Sequence, residues 1–366
     1  MNTSRIFEYL NTHSPSGYES PAQKVWAKMV SNPNVIISHD TYGNCFAEYT
    51  NVIKPEGSDT STLKTLVIDA HADEIGFLVK DIVAGGYIKI SRLGGSDISI
   101  TPSSKVKIWT FNNPEEPITG VFGHPAIHVQ KDTFKAKGDE IFVDVGCKSE
   151  KEVRALGIEI GNPITMDRDA FMLGDYYTGK SLDDKMGGVV TATVLNHLVE
   201  HNVKLPYRLV MINSVQEEVG LRGAQIATKT IGYDIDLAIA IDVCHCTDSP
   251  AYSRSQSGNT KSGKGPVIMT APSLHKTVTR NLIKVADTNN IPLQFTTSGS
   301  SSGTNADSYA YQAGIPTALT KLALKYMHTT VEMVHRDDVH NLVEWLIAYL
   351  KSNPLDDSFI GNSLVG

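Results

Sequence analysis

Residues 65 to 77 read TLVIDAHADEIGF, and a change of texture inside this stretch decides the architecture. Thr65 to Ala70 is an almost unbroken apolar run, which suits a strand buried on both faces of a mostly parallel sheet. From Ile75 to about Asp167 the pattern switches to short segments, FLVKDI, YIKISRL, KVKIWTF, ITGVFG, AIHVQ and IFVDV, separated by turn residues. Such even spacing predicts a small antiparallel β-barrel. One helix is expected within it at Glu150 to Leu156, opening on a capping box from Ser149 to Glu152.

Outside that block, helix and strand patterns alternate. Helices are expected at Ser4 to Leu10 and Glu19 to Val30, followed by strands at Val35 to Ser38 and Asn44 to Tyr49. Beyond the barrel come a helix at Lys185 to His201, a strand at Tyr207 to Val215, a helix after Gly223 and a strand at Leu237 to Val243. A helix at Ser273 to Asn289, a strand near Pro316 to Leu324 and a last helix at Val339 to Lys351 complete the series. The expected fold is α/β, with residues 1–74 and 168–366 forming one domain and residues 75–167 inserted as a second. Long insertions are tolerated where the ends of a loop lie close together.

The chain has 366 residues, enough for two domains, with 41% hydrophobic and 20% charged residues. Its formal net charge of -7 gives no electrostatic reason to expect a nucleic-acid partner. No run approaches the roughly 20 apolar residues of a membrane span, and the first 20 residues lack the apolar centre of a signal peptide. These features predict a cytoplasmic protein without a membrane partner. Four cysteines, Cys45, Cys147, Cys244 and Cys246, are too few for a disulfide framework and fit a reducing compartment. Cys244 and Cys246 flank His245 without the two-residue spacer of zinc knuckles, so buried or partly buried thiols are the better reading.

Chemistry concentrates where strands end. The run VMINSVQEEVGLRGA, residues 210 to 224, finishes a strand on Glu217 and Glu218, followed by Gly220 and Gly223. Two readings fit: solvated charges opening a surface helix, or a turn that aims both carboxylates into one cleft, one for a metal and one for a proton. His71 and Asp73 follow TLVIDA at a spacing that puts both on one face, as a metal ligand and its orienting partner require. Asp183 and Asp184 precede a helix; capping accounts for one of them but does not need both. Asp242 ends LAIAID, and His328 follows ALTKLALKYM. Open α/β sheets place their sites at this edge, so His71, Asp183, Glu217, Glu218, Asp242 and His328 together describe a metal centre. Imidazoles mixed with carboxylates favour zinc or cobalt over magnesium. His197-Leu198-Val199-Glu200-His201 matches an inverted zinc-protease signature, but its polar residues share one helix face opposite Val190, Val194, Leu195 and Leu198, as a solvated stripe does.

Taken in order, HADEIGF (71 to 77), SLDDK (181 to 185), QEEVGLRGA (216 to 224), IDV (241 to 243) and KYMHTTVEMV (325 to 334) resemble the dinuclear metallo-aminopeptidases that include glutamyl and deblocking aminopeptidases and the tetrahedral TET particles. The resemblance spans nearly the whole chain. It implies two divalent metal ions per subunit, His71 and Asp242 binding one, Glu218 and His328 the other, and Asp183 bridging them. It also implies Glu217 as general base, Asp73 as the residue orienting His71, Asp184 joined to Asp183 by a cis peptide, and a PDZ-like insert through which subunits self-associate from dimers to dodecamers. The implied substrates are peptides with a free N-terminus. Where such enzymes usually read Gly-Thr-Asp-Ala, this chain has Asn305 in Gly303-Thr304-Asn305-Ala306, which alters any contact made by a carboxylate there. A dinuclear deacylase or carboxypeptidase, a glycosidase using Glu217 and Glu218, and a non-catalytic cage protein stand as alternatives.

Overall fold

The computed structural model describes residues 3–53, 63–129, 141–250, 252 and 258–355. Its centre is a block of four parallel strands, in spatial order β12 (Arg208–Ser214), β3 (Thr65–His71), β13 (Leu237–His245) and β16 (Thr317–Lys325). Every residue of β3 and β12 is buried, as the unbroken apolar run requires. Alternate side chains sort to opposite faces: Leu66, Ile68 and Ala70 join one core with Leu209 and Met211, whereas Val67 joins another with Val210 and Ile212.

Helix α4 (Leu182–Glu200) packs on the first face together with α2 (Ser20–Val30) and the C-terminal helix Arg336–Lys351, and α5 (Arg222–Thr230) covers the second. The buried Trp26 and Trp345 anchor the outer helices, their indole N–H groups donating to Gly188 O and Leu282 O. Antiparallel strands extend the block on both sides: β1 (Val35–His39) and β2 (Cys45–Tyr49) beyond β12, then β17 (Glu332–His335), β11 (Tyr176–Gly179) and β10 (Phe171–Leu173) beyond β16. Strands β14 (Val267–Thr270) and β15 (Gln294–Thr297) branch from β16. The sequence pattern marked neither the β10–β11 hairpin nor β14, β15 and β17. These strands have three or four residues each, too short for an alternation to register.

Between Gly76 and Met166 six strands close a barrel with all neighbours antiparallel, in the order β4 (Gly76–Val83), β5 (Tyr87–Leu93), β8 (Phe142–Asp144), β7 (Ile118–Phe122), β6 (Lys105–Ile108) and β9 (Pro163–Met166). It has a core of its own around Phe77, Ile88, Val106, Phe122, Val143 and Ile164. The Ser149 hydroxyl accepts from Glu152 N, capping the helix Glu150–Ala155 as expected, while the Glu152 carboxylate reaches Lys148 N rather than the cap's own N–H. AIHVQ is not a strand. Ile127–Val129 forms one 3-10 turn after Pro125, closed by Val129 N donating to Ala126 O, with Ile127 and Val129 exposed; Gln130 lies outside the described residues. None of the described helices is long and apolar enough to cross a membrane.

Candidate metal centre

The C-terminal edge of the parallel block delivers the donors. His71 is the last residue of β3, and its Nε2 lies 3.2 Å from Asp183 Oδ1 and 3.9 Å from Glu217 Oε2. His328 is reached from the other side: its Nε2 is 3.3 Å from Asp183 Oδ2 and 3.5 Å from Glu218 Oε1. The two oxygens of Asp183 thus face different imidazoles. His71, Glu217 and Asp242 offer ligand atoms within 4.8 Å of one another, and so do His71, Asp183 and Glu218. The structure therefore brings together all six groups singled out at strand ends.

Backbone geometry explains how adjacent glutamates reach one pit. Gln216 and Leu221 adopt positive φ, 55° and 61°, so the chain swings out of the sheet on either side of the pair. Gly223 seals that turn, since a Cβ there would lie 2.1 Å from Val215 O. Asp73 holds the pair from beneath: its Oδ1 accepts from Glu217 N at 2.9 Å, and its Oδ2 accepts from Glu218 N at 3.1 Å and from the Ser16 hydroxyl at 2.6 Å. His71 Nδ1 meets both the Asp73 carbonyl, at 3.2 Å, and its Oδ1, at 3.3 Å. Asp73 accordingly contacts both elements of the site.

Glu332, inside KYMHTTVEMV, is a site residue that the sequence pattern does not single out. Its buried carboxylate accepts from Leu182 N, Asp183 N and His328 N, at 2.8, 3.3 and 2.7 Å, fixing two donors to one strand. The sequence signal was His328-x-x-x-Glu332 beside an apolar strand, which reads as an exposed turn without the fold. The Asp183–Asp184 peptide is cis. Asp184 points inward, its Oδ1 accepting from Gly187 N at 3.2 Å. Asn305 stands apart from the donors, its amide N–H donating to the Ser214 hydroxyl at 2.8 Å. The barrel supplies a wall of the pit: a Cβ at Gly95 would lie 2.6 Å from His328 Nδ1, so only glycine allows this approach.

Electrostatics test whether a cation fits. Burial, with the neighbouring carboxylates adding to it, pushes Glu217 and Glu218 up to about 9. Burial and Asp183 push Asp242 up to about 6, against the pull of Lys321. Burial likewise carries Asp184 well above the usual carboxylate range, and its Oδ2 has no hydrogen-bond partner among the described residues. So much buried acid in one pit is costly unless positive charge offsets it. Two imidazoles and several carboxylates converging at ligand spacing fit divalent metal ions.

Elsewhere the chemistry is bland. His197 and His201 stack at 4.0 Å on the outer face of α4, and no metal-holding group forms there among the described residues. All four cysteines are free, and burial pushes the Cys244 thiol up to about 12.

A parallel-centred α/β sheet with imidazoles and carboxylates gathered at its C-terminal edge is the frame of a metallohydrolase. Residues 50–345 match the family model described as M42 glutamyl aminopeptidase, and the chain belongs to that family, whose members are metal-dependent aminopeptidases. The chain is 29% identical to a lysyl aminopeptidase of Pyrococcus furiosus over 80% of its own length and 83% of that protein's. Its structure superposes on an aminopeptidase from Desulfurococcus kamchatkensis with a TM-score of 0.86 and 27% identity, covering 99% of this chain and 98% of that one. The TET1 peptidase of Pyrococcus horikoshii, which can assemble into a tetrahedron or a large octahedral shell, follows at 0.80 and 26% identity, covering 94% of this chain and 98% of the other.

Proposed function

We propose that this chain is a dinuclear metallo-aminopeptidase that removes residues one at a time from the free N-termini of peptides. The observation that carries the reading is Asp183, whose two carboxylate oxygens face His71 on one side and His328 on the other. In this reading His71 and Asp242 would hold one divalent ion, Glu218 and His328 would hold a second, and Asp183 would serve both. Zinc or cobalt suits this mixture of donors. Bound there, the ions would lower the pKa of a water molecule and polarise the scissile carbonyl.

The chain's own groups do the rest. Glu217 takes a proton from the attacking water and returns it to the leaving amine. Asp73 aims Glu217 and Glu218 through their backbone N–H groups, and Glu332 holds Asp183 and His328 in register. Asp184 and Asn305 support the site from outside the donor set. Residues 75–167 form the inserted dimerisation domain of this reading. Ile127, Val129, Tyr87 and Val121, all exposed on the barrel, suit self-association as a dimer or a larger shell. The free thiols fit a cytoplasmic location.

The test is a panel of aminoacyl-arylamides and matched peptides, free and acetylated, with zinc, cobalt or manganese added. Turnover of free but not acetylated N-termini, abolished by chelation, is the expected result. Cleavage of the acetylated series would point instead to a deacylase or carboxypeptidase, and activity surviving exhaustive chelation would overturn the metal-dependent reading.

A further inference from the structure

Lys321 is a buried cation that the mechanism does not use. It sits on β16 opposite Asp242 of β13, and residues paired across neighbouring strands project from the same face of a sheet. Asp242 belongs to the donor set, so Lys321 rises beside it into the same cleft, a space of about 610 Å³ that Lys321 lines together with Cys244, His245, Ser302 and Thr304. The residue is only 7% exposed. Its ammonium makes no hydrogen bond and no ion pair with any described residue. Its stem is buried while its ammonium opens into the cleft, and a substrate side chain that fills the cleft takes water from that ammonium, which costs several kcal/mol unless an anion compensates it.

The acids that share the cleft, Asp183, Glu217, Glu218 and Asp242, have other duties. In the proposed reading all are engaged as ligands or base, so Lys321, which acts on Asp242 through its charge and makes no hydrogen bond to it, is left with room for an anion beside the reacting centre. We propose that Lys321 is the specificity-determining residue of this chain, and that it selects peptides whose N-terminal residue has an acidic side chain. The inference rests on the aminopeptidase reading. Names do not decide the matter, since the family model is described by glutamyl activity and a relative at 29% identity by lysyl activity. The cation accepts a substrate carboxylate as its partner, and of the Ser302 and Thr304 hydroxyls, which bond each other at 3.0 Å, one keeps a proton to donate to it. The same charge repels a lysyl or arginyl side chain, and an aliphatic one leaves the ammonium buried and unpaired. Both selections therefore run in one direction.

The experiment compares kcat/KM for glutamyl-, aspartyl-, leucyl- and lysyl-arylamides in the metal-supplemented wild type, Lys321→Met and Lys321→Glu. The wild type is expected to prefer the acidic substrates by about 10-fold or more, the size of one charge-assisted hydrogen bond. Lys321→Met, close in length and without charge, should lower the glutamyl-to-leucyl ratio by about 10- to 100-fold, and Lys321→Glu should move the preference to lysyl. Calorimetric titration of the wild type with free L-glutamate and L-leucine gives a second readout that needs no variant to fold, with glutamate expected to bind more tightly. A leucyl or lysyl preference in the wild type, an unchanged ratio in Lys321→Met, or tighter binding of leucine would overturn the proposal. Failure to cleave any of the arylamides would instead remove the aminopeptidase reading, and the inference with it.

Discussion

At the scale of single residues, Glu217 and Asp183 differ in what they are asked to do, and the difference is measurable. Glu217→Gln keeps the shape of the side chain but has no basic oxygen to accept a proton, so metal content should be preserved while kcat falls by about 10²- to 10⁴-fold. Asp183→Asn removes the charge between His71 and His328, and both metal content and turnover should be lost. Steady-state kinetics beside elemental analysis separates the two cases; an unchanged kcat in the glutamine variant would end the assignment of Glu217 as base. The adjacency of Glu217 and Glu218, followed by glycines, was plain in the sequence, and so were His71, Asp183, Asp242 and His328, because each closes an apolar run. Two residues were not. Glu332 lies on a strand too short to show a period and works through backbone N–H groups, and Lys321 follows Thr320 in a strand of mixed character, which no pattern separates from a surface position.

Among the secondary-structure elements, the junctions around the barrel do much of the positioning. Gly95 touches the His328 ring so closely that any Cβ must push the imidazole. Gly95→Ala should therefore weaken metal retention while the circular dichroism spectrum stays that of the wild type; unaltered metal binding would show that the ring yields freely. On the other side, Glu74 is fully buried against Lys180 and Lys185, where its carboxylate also accepts from Ser14 N. Burial alone would raise this acid, but the two ammonium groups outweigh it and hold it down to about 2. A carboxyl held below its ordinary value stabilises the fold at pH above that value, about 4.5, and loses the contribution as pH falls toward 2. The stabilisation lost is on the order of 3 kcal/mol. Urea midpoints of wild type and Glu74→Gln should thus differ most near neutrality and converge at acid pH; a gap independent of pH would exclude the electrostatic account. Long elements were legible, with β3, β12, β13 and the helices falling near their expected positions. The edge hairpin of β1 and β2 was expected as well, whereas β10, β11, β14, β15 and β17 were hidden, because strands this short draw their stability from pairing rather than from a buried stripe.

For the whole molecule, the division into a parallel-centred sheet and a closed barrel was written in the change of texture at Ile75. The exposed turn at Ile127–Val129 is where the pattern misled, since apolar residues normally signal burial and these two remain uncovered in a single chain. Replacing both with glutamate should shift the protein to a lower mass in light scattering and leave the fold intact. A mass unchanged from wild type would place any subunit contact elsewhere.

The contact between Gly95 and His328 also limits how far this architecture can be pared down. A barrel with its own core looks like a module that could be cut out or exchanged, although the chain enters it through the buried Asp73 and Glu74. Yet the loop after β5 forms part of the housing of an imidazole belonging to the other body. A shortened chain lacking the barrel could keep every proposed ligand and still lose the enclosure that holds one of them. Grafting a foreign barrel would succeed only if it presented a bare backbone at the same point.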